Sequence, residues 1–219
     1  DGMRAHAPAG WTVLYAKGCD ITLLADAEEG TYEDGQARPK VERPAAPDPA
    51  LIAEAVEVAK KADVAVVVVG DSMPLIGEGR STATLELQGG QLALLQALSR
   101  IGKPLVVVLV NSKPLVLPEI VRKAAAIIEL FNPGMCGGHA AAEAIFGLFN
   151  PSGKLTISFP RHAGQQPVYY SQVRGQHGNR YADLTQEPLF AFGEGLSYTR
   201  YEYANLRALT PEVGRDGAV

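Results

Sequence analysis

Two runs of almost uninterrupted aliphatic residues, Val64–Val69 and Leu105–Val110, constrain this chain more than any other feature. Both are mostly β-branched, and neither alternates with polar residues. A strand with one wet face alternates; a strand buried on both faces does not. The two runs therefore predict strands of a parallel sheet covered by helices. Between them, Leu92, Leu94, Leu95 and Leu98 mark a helix stopped by Gly102 and Pro104. Ahead of the first run, Asp48-Pro49 has the form of an N-cap followed by a proline in the first helical position. Leu51, Ile52, Ala55, Val56 and Ala59 continue that helix at the right spacing. After the second run come a short helix over 118–123, a strand over 126–130, and a helix opened by Gly137-Gly138. Alternation predicts further strands over Trp11–Tyr15 and Leu155–Phe159. This rhythm predicts an α/β fold: an open, mostly parallel sheet with helices on both faces, right-handed crossovers, and a long irregular tail.

Composition removes whole classes of function. With 47% apolar residues and a net charge of -4, the chain is not intrinsically disordered. The apolar runs fall far short of the roughly 18 residues a membrane-spanning helix needs. Twenty Lys+Arg against 24 Asp+Glu offer no surface for nucleic acid or an anionic membrane. Cys19 and Cys136 are too few for a disulfide framework or a four-Cys zinc site, and are read as two free, mostly buried thiols. His6, His139, His162 and His177 lack metal-ligand spacing and are read as structural or surface residues. No metal or cofactor is called for. Asp1-Gly2-Met3-Arg4 has neither a basic n-region nor an apolar h-region. The chain reads as an internal piece of a longer protein or as a processed product, and its localisation cannot be read from it.

The Asp-, Glu-, Gly- and Pro-rich stretch 25–49 reads as a solvated excursion. Residues 161–203 read as a tail wrapping one edge of the sheet, with Arg180, Tyr181 and Asp183 ordering it by an ion pair and a hydrogen bond. Residues 1–203 are expected to form one domain. Residues 204–219 are expected to be a linker or the start of another domain.

Ligands of open α/β sheets bind outside the carboxyl ends of the strands. Three loops lie there: 70–84, 111–115 and 131–138. The first is the longest and carries Asp71, Ser72, Gly77-Glu78-Gly79-Arg80 and Ser81. Flanking glycines allow positive φ and close approach, so Glu78 can be presented into a cleft. The alternative is a solvent-facing glutamate beside Arg80. Gln88-Gly89-Gly90 forms no phosphate-cradling pattern, and Gly193-Glu194-Gly195-Leu196-Ser197 is no nucleophile elbow.

Several pieces taken in order resemble the C-terminal α/β sandwich domain of glycoside hydrolase family 3, the family of many β-glucosidases and β-xylosidases. They are Gly77-Glu78-Gly79-Arg80, Leu85-Glu86-Leu87, Gly102-Lys103-Pro104 with the strand to Asn111, and Pro133-Gly134 with Gly137-Gly138. Asn150-Pro151-Ser152-Gly153-Lys154-Leu155, Ser158-Phe159-Pro160, Gln166-Pro167-Val168-Tyr169-Tyr170 and Phe192-Gly193-Glu194-Gly195-Leu196-Ser197-Tyr198 complete the set. Tyr201 to Leu206 is similar to the start of a following fibronectin-III-like domain.

The resemblance implies a retaining, exo-acting β-glycosidase of β-glucosidase type. The family's nucleophile is an Asp on a preceding (β/α)8-like barrel, outside this chain. The family's general acid/base is a Glu on a sandwich loop, and Glu78 matches it by position. On this reading Ser72 and Met73 are expected to line the leaving-group side of a β-glycoside substrate, and Arg80 is expected either to point away from Glu78 or to contact the substrate. The family often has an Asp-Arg pair a few residues on, where this chain has Arg80-Ser81-Thr82. Without the barrel, the isolated chain is expected to be inactive, and its uncovered barrel-facing surface is expected to drive homodimerisation or aggregation. The competing reading is a non-catalytic carbohydrate-binding or scaffold domain. A flavodoxin-like small-molecule module would need a phosphate loop after the first strand, which 10–18 does not supply. Assembly of barrel and sandwich as separate polypeptides is a further arrangement the sequence leaves open.

Overall fold

The aliphatic runs form the strands they predict. In the computed structural model, which describes residues 1–25, 31–36, 41–77, 80–171, 181–209 and 212–217, β3 (Ala65–Gly70), β4 (Leu105–Val110) and β5 (Ala126–Glu129) make a parallel three-stranded sheet in sequential order. Val69 stands opposite Leu109, and Leu109 opposite Glu129. Helix α3 (Gln91–Ser99) crosses from β3 to β4, and α4 (Glu119–Arg122) from β4 to β5. Two right-handed crossovers between sequential strands lie on the same face of a sheet, which accounts for the contact between α3 and α4. Helix α2 (Pro49–Lys60) packs beside α3. Its start is the predicted cap: Asp48 Oδ1 accepts the Ala50 N–H at 2.8 Å and the Leu51 N–H at 3.3 Å.

Side-chain alternation along the strands then fixes the core. The odd-numbered residues Val67, Val69, Leu105, Val107 and Leu109 face the helices and pack with Ala55, Ala59, Leu94, Leu95 and Leu98. Leu115, Leu117, Val121 and Phe159 close the cluster. Burial of side chains this size contributes about 1.5–3 kcal/mol each. On the other face Val108 is buried, while Val68 on the outer strand β3 is 64% exposed. The α/β architecture is the one the sequence predicts.

Other elements differ from expectation. Trp11–Tyr15 is not a strand: it pairs with no strand among the described residues, and Trp11 and Tyr15 are exposed. The Trp11 ring instead meets Phe146 edge-on at 5.9 Å. Leu155–Phe159 is also not a regular strand. It touches the tail at two points, through Leu155 with Gly193 and Glu194 and through Phe159 with Leu189 and Phe190. Between them Ser158 turns inward, accepting the Phe192 N–H at 3.0 Å, and Ile157 turns out. An inward serine and an outward isoleucine break the predicted alternation. β1 (Thr22–Ala25), which leads into the 25–49 stretch, pairs antiparallel with β2 (Val41–Pro44) inside it, and residues 31–36 are exposed. Short helix α1 (Gly2–His6), which no periodicity announced, packs on α5 (Gly137–Ile145). A methyl group on Gly2 would sit 2.1 Å from the Gly138 carbonyl oxygen. Both cysteines are free, but Cys136 is exposed rather than buried, because it stands in the loop that leads into α5.

The tail is held by polar side chains acting on backbone. Gln165 is buried: its Oε1 accepts the Arg161 N–H at 2.6 Å, and its Nε2 donates to the Thr185 carbonyl at 2.8 Å. Tyr181 donates its hydroxyl to the Gly164 carbonyl at 2.8 Å. The expected ion pair of Asp183 with Arg180 falls on a residue outside those described. Farther on, Asn150 Oδ1 accepts from Ser197 Oγ and the Tyr198 N–H, each at 2.9 Å.

Candidate active site

The parity that builds the core also builds the site. Continuing the register by two residues beyond Val69 and Leu109 brings Asp71 and Asn111 onto the core face at its carboxyl end, next to Glu129. Three successive strands thus end in polar groups on one face, and Asn111 there is fully buried. The bend that allows this is Gly70, with φ +147°. A Cβ there would lie 1.9 Å from the Val110 carbonyl oxygen, so β3 and β4 approach in a way only glycine permits. Gln91, the first residue of α3, clamps the same glycine. Its Oε1 accepts the Gly70 N–H at 2.7 Å and its Nε2 donates to the Gly70 carbonyl at 2.9 Å.

Asp71 ties the first loop to the turn after β4. Its N–H donates to the Val110 carbonyl at 2.9 Å, and its Oδ2 accepts the Ser112 N–H at 3.3 Å. Its side chain is 4% exposed, and Lys113 Nζ stands 3.9 Å from Oδ1. The same ammonium donates to Thr82 Oγ1 at 2.7 Å, and Thr82 in turn donates to the Thr84 carbonyl at 2.8 Å. Lys113 therefore bridges the two ends of the 71–84 loop. A backbone bond from Val116 N–H to the Leu85 carbonyl, 2.9 Å, adds a second tie.

Glu78 and Gly79 lie outside the described residues, so the loop is known by its flanks. Gly77 has φ +100°, as the glycine reading requires. Its carbonyl accepts the Arg80 N–H at 3.2 Å and Ser81 Oγ at 3.3 Å, which draws the two flanks of Glu78 together. Arg80 is exposed, and Met73 is exposed on the 3-10 turn Met73–Leu75 that opens the loop. Ser72 is half-buried just before it. All three belong to the one loop, on the carboxyl side of β3. Among the described residues, no cluster of His, Cys, Asp and Glu could hold a metal ion, and no helix is long and apolar enough to cross a membrane.

Sequence reasoning singled out Asp71 but passed over Gln91, Asn111, Lys113 and Glu129. Asn111 follows one strand run and Glu129 stands within another, but the face each takes depends on the register between strands. Glu129 is strongly perturbed. Burial, with a smaller push from the Asp71 charge, raises its carboxyl to about 7, against the opposing hydrogen bonds from the Phe131 N–H and the Asn111 amide. A pocket in the tail is lined by Val168, Tyr169, Tyr170 and Pro188.

Known proteins share this fold. The glycosyl hydrolase family 3 C-terminal domain matches residues 1–198. A periplasmic β-glucosidase of Salmonella typhimurium is 41% identical over 100% of this chain and 29% of its own length. A β-xylosidase of Formosa agariphila is 37% identical over 99% of this chain and 27% of its own. Among solved structures, a β-glucosidase of saponin metabolism from intestinal bacteria superposes with a TM-score of 0.82 at 50% identity, over 91% of this chain and 29% of that one. A β-glucosidase from Listeria innocua, solved with glucose, gives 0.67 at 33% identity, over 72% of this chain and 24% of that one. The chain thus spans less than a third of the length of these relatives. With the match running over residues 1–198 and a relative covering the whole chain, the chain belongs to glycosyl hydrolase family 3 and carries its C-terminal domain.

Proposed function

We propose that this chain is the acid/base half of a retaining, exo-acting β-glycosidase of β-glucosidase type. Its partner is an N-terminal (β/α)8-like barrel carrying the nucleophile Asp, and Glu78 is the general acid/base. The observation that carries this reading is the two-ended anchoring of the 71–84 loop at the carboxyl edge of the parallel sheet. Asp71 and Lys113 hold one end and Thr82 the other, while the flanks of Glu78 are drawn together between them. Both flanks of Glu78 are thereby tied to the sheet edge.

Retention needs two carboxyl groups roughly 5–5.5 Å apart across the glycosidic bond. The barrel Asp attacks the anomeric carbon, and the bond to the leaving oxygen breaks as Glu78 gives that oxygen its proton. Glu78 then takes a proton from water, whose oxygen displaces the Asp. For both tasks its pKa belongs near working pH, raised by desolvation and by the neighbouring Asp when the domains close. Arg80 would oppose that rise if it contacted Glu78, so we assign it to the substrate, with Ser72 and Met73 on the leaving-group side. No cofactor takes part in this reading. Residues 1–203 act as one domain, with 204–219 leading onward. A barrel-facing surface left open would account for any self-association of the chain as a homodimer.

The test is Glu78→Ala in the full-length protein. Turnover of a β-glucoside with a poor leaving group should fall on the order of 10²–10⁴-fold, the contribution typical of a positioned general acid. Unchanged turnover, together with measurable sugar binding by calorimetry, would support the non-catalytic carbohydrate-binding reading instead.

A further inference from the structure

The two flanks of Glu78 are held to the domain by different means. On the N-terminal side Leu75 is 5% exposed, and the 3-10 turn that carries it is in contact with β2. On the C-terminal side Arg80 and Ser81 are exposed, and Thr82 and Thr84 are half-buried. Among the described residues of 72–81, every hydrogen bond stays within the loop: Leu75 N–H to the Ser72 carbonyl, Ile76 N–H to the Met73 carbonyl, and Arg80 N–H and Ser81 Oγ to the Gly77 carbonyl. The bond that crosses from the loop to another element is at Thr82, whose Oγ1 accepts from Lys113 Nζ at 2.7 Å. Both ends of that bond have their directions fixed. Thr82 gives its one hydroxyl proton to the Thr84 carbonyl at 2.8 Å, and an ammonium can only donate, so Thr82 must be the acceptor. Lys113 stands in the turn after β4, where the fully buried Asn111 donates its Nδ2 to the Lys113 carbonyl at 2.8 Å. The ammonium lies 3.9 Å from Asp71 Oδ1, on a side chain only 22% exposed, so water competes weakly for it.

We propose that Lys113 and Thr82 are positioning residues for the leaving-group step: their bond fixes the C-terminal flank of Glu78 and thereby sets where the acid/base carboxyl stands. The proposal rests on the reading of Glu78 as the general acid/base. Thr82 follows directly on the turn closed between Gly77 and Arg80, to which Ser81 is also bonded. A displacement of Thr82 is therefore passed along the chain to the turn that carries Glu78. A general acid works only within hydrogen-bond reach of the oxygen it protonates. A misplacement of about 1 Å, caused by a change away from the chemistry, can cost on the order of 10²-fold. That loss falls on the step that needs the proton. An alkyl β-glucoside, whose alkoxide leaves poorly, depends on it. An aryl β-glucoside with a good leaving group does not.

The experiment measures kcat/KM, which covers the steps up to loss of the leaving group, for both kinds of glucoside in the full-length protein. Thr82→Val is the main variant, because it removes the acceptor and leaves Lys113 beside Asp71. Lys113→Met removes the donor, and Thr82→Ser keeps the hydroxyl. Thr82→Val and Lys113→Met should lower kcat/KM on the alkyl glucoside by about 10–10²-fold. Both should leave the aryl glucoside near the wild-type value, and Thr82→Ser should keep the wild-type value on both substrates. On a Glu78→Ala background, Thr82→Val should cost nothing further, since no acid is left to misplace. Lys113→Met also strips the buried Asp71 of its cation, so if that variant does not fold, Thr82→Val decides alone. A Thr82→Val variant equal to wild type on the alkyl glucoside, where Glu78→Ala is impaired, would overturn the proposal. Equal losses on both glucosides, or the full loss repeated on the Glu78→Ala background, would also overturn it and leave the bond a purely structural one. Glu78→Ala equal to wild type would instead bring down the acid/base reading, and the proposal with it.

Discussion

The sheet and the tail solve the same problem by different chemistry. In the block from β3 to β5, apolar side chains of one parity disappear beneath α2, α3 and α4, and the backbone groups pair strand to strand. From Phe159 onward the backbone is held by isolated side chains, Gln165 and Asn150 above all, while aromatic and aliphatic groups such as Tyr170, Leu196, Tyr198 and Tyr203 stay exposed. Burial by pattern makes the first region stable from within. The second owes its order to a few polar anchors, and it spends its large side chains on a surface that faces outward.

Substitutions break this contrast at graded cost. Leu95 is fully buried in α3, so Leu95→Ala should lower stability by about 2–5 kcal/mol, read from the urea midpoint. Gln165→Ala removes the two hydrogen bonds that tie the Arg161 N–H and the Thr185 carbonyl, an expected loss of about 1–3 kcal/mol in all at about 0.5–1.5 kcal/mol per bond. Limited proteolysis should then place new cleavage near 181–190 while the sheet stays protected. Tyr198→Ala, at a residue 69% exposed, should change stability by less than about 0.5 kcal/mol. A Tyr198 effect equal to that of Leu95 would erase the distinction between the regions.

The same contrast explains what the sequence made legible. Unalternated aliphatic runs announced β3 and β4, and Asp48-Pro49 announced the start of α2, because burial and capping write their requirements into neighbouring residues. Trp11–Tyr15 and Leu155–Phe159 failed because alternation describes a strand only where a neighbouring strand exists. Trp11 packs on a ring instead, and Ser158 turns inward to bond the tail. At the site, the glycine-flanked Glu78 stood out locally. Asn111, Lys113 and Glu129 did not, since their meaning depends on a register between strands that no single stretch of sequence contains. Cys136 was misjudged for a related reason: a thiol's usual burial gives way to the loop that carries it.

The central claim is that Glu78 protonates the leaving group and later activates water for a nucleophile outside this chain. Azide rescue tests it most directly. In the full-length protein bearing Glu78→Ala, an aryl β-glucoside with a good leaving group still forms the glycosyl-enzyme, and azide needs no general base to displace the barrel Asp. The account predicts that added azide restores turnover several-fold or more and that the product is the β-glycosyl azide. Turnover of the variant that azide leaves unchanged, or an α-configured azide product, would contradict it.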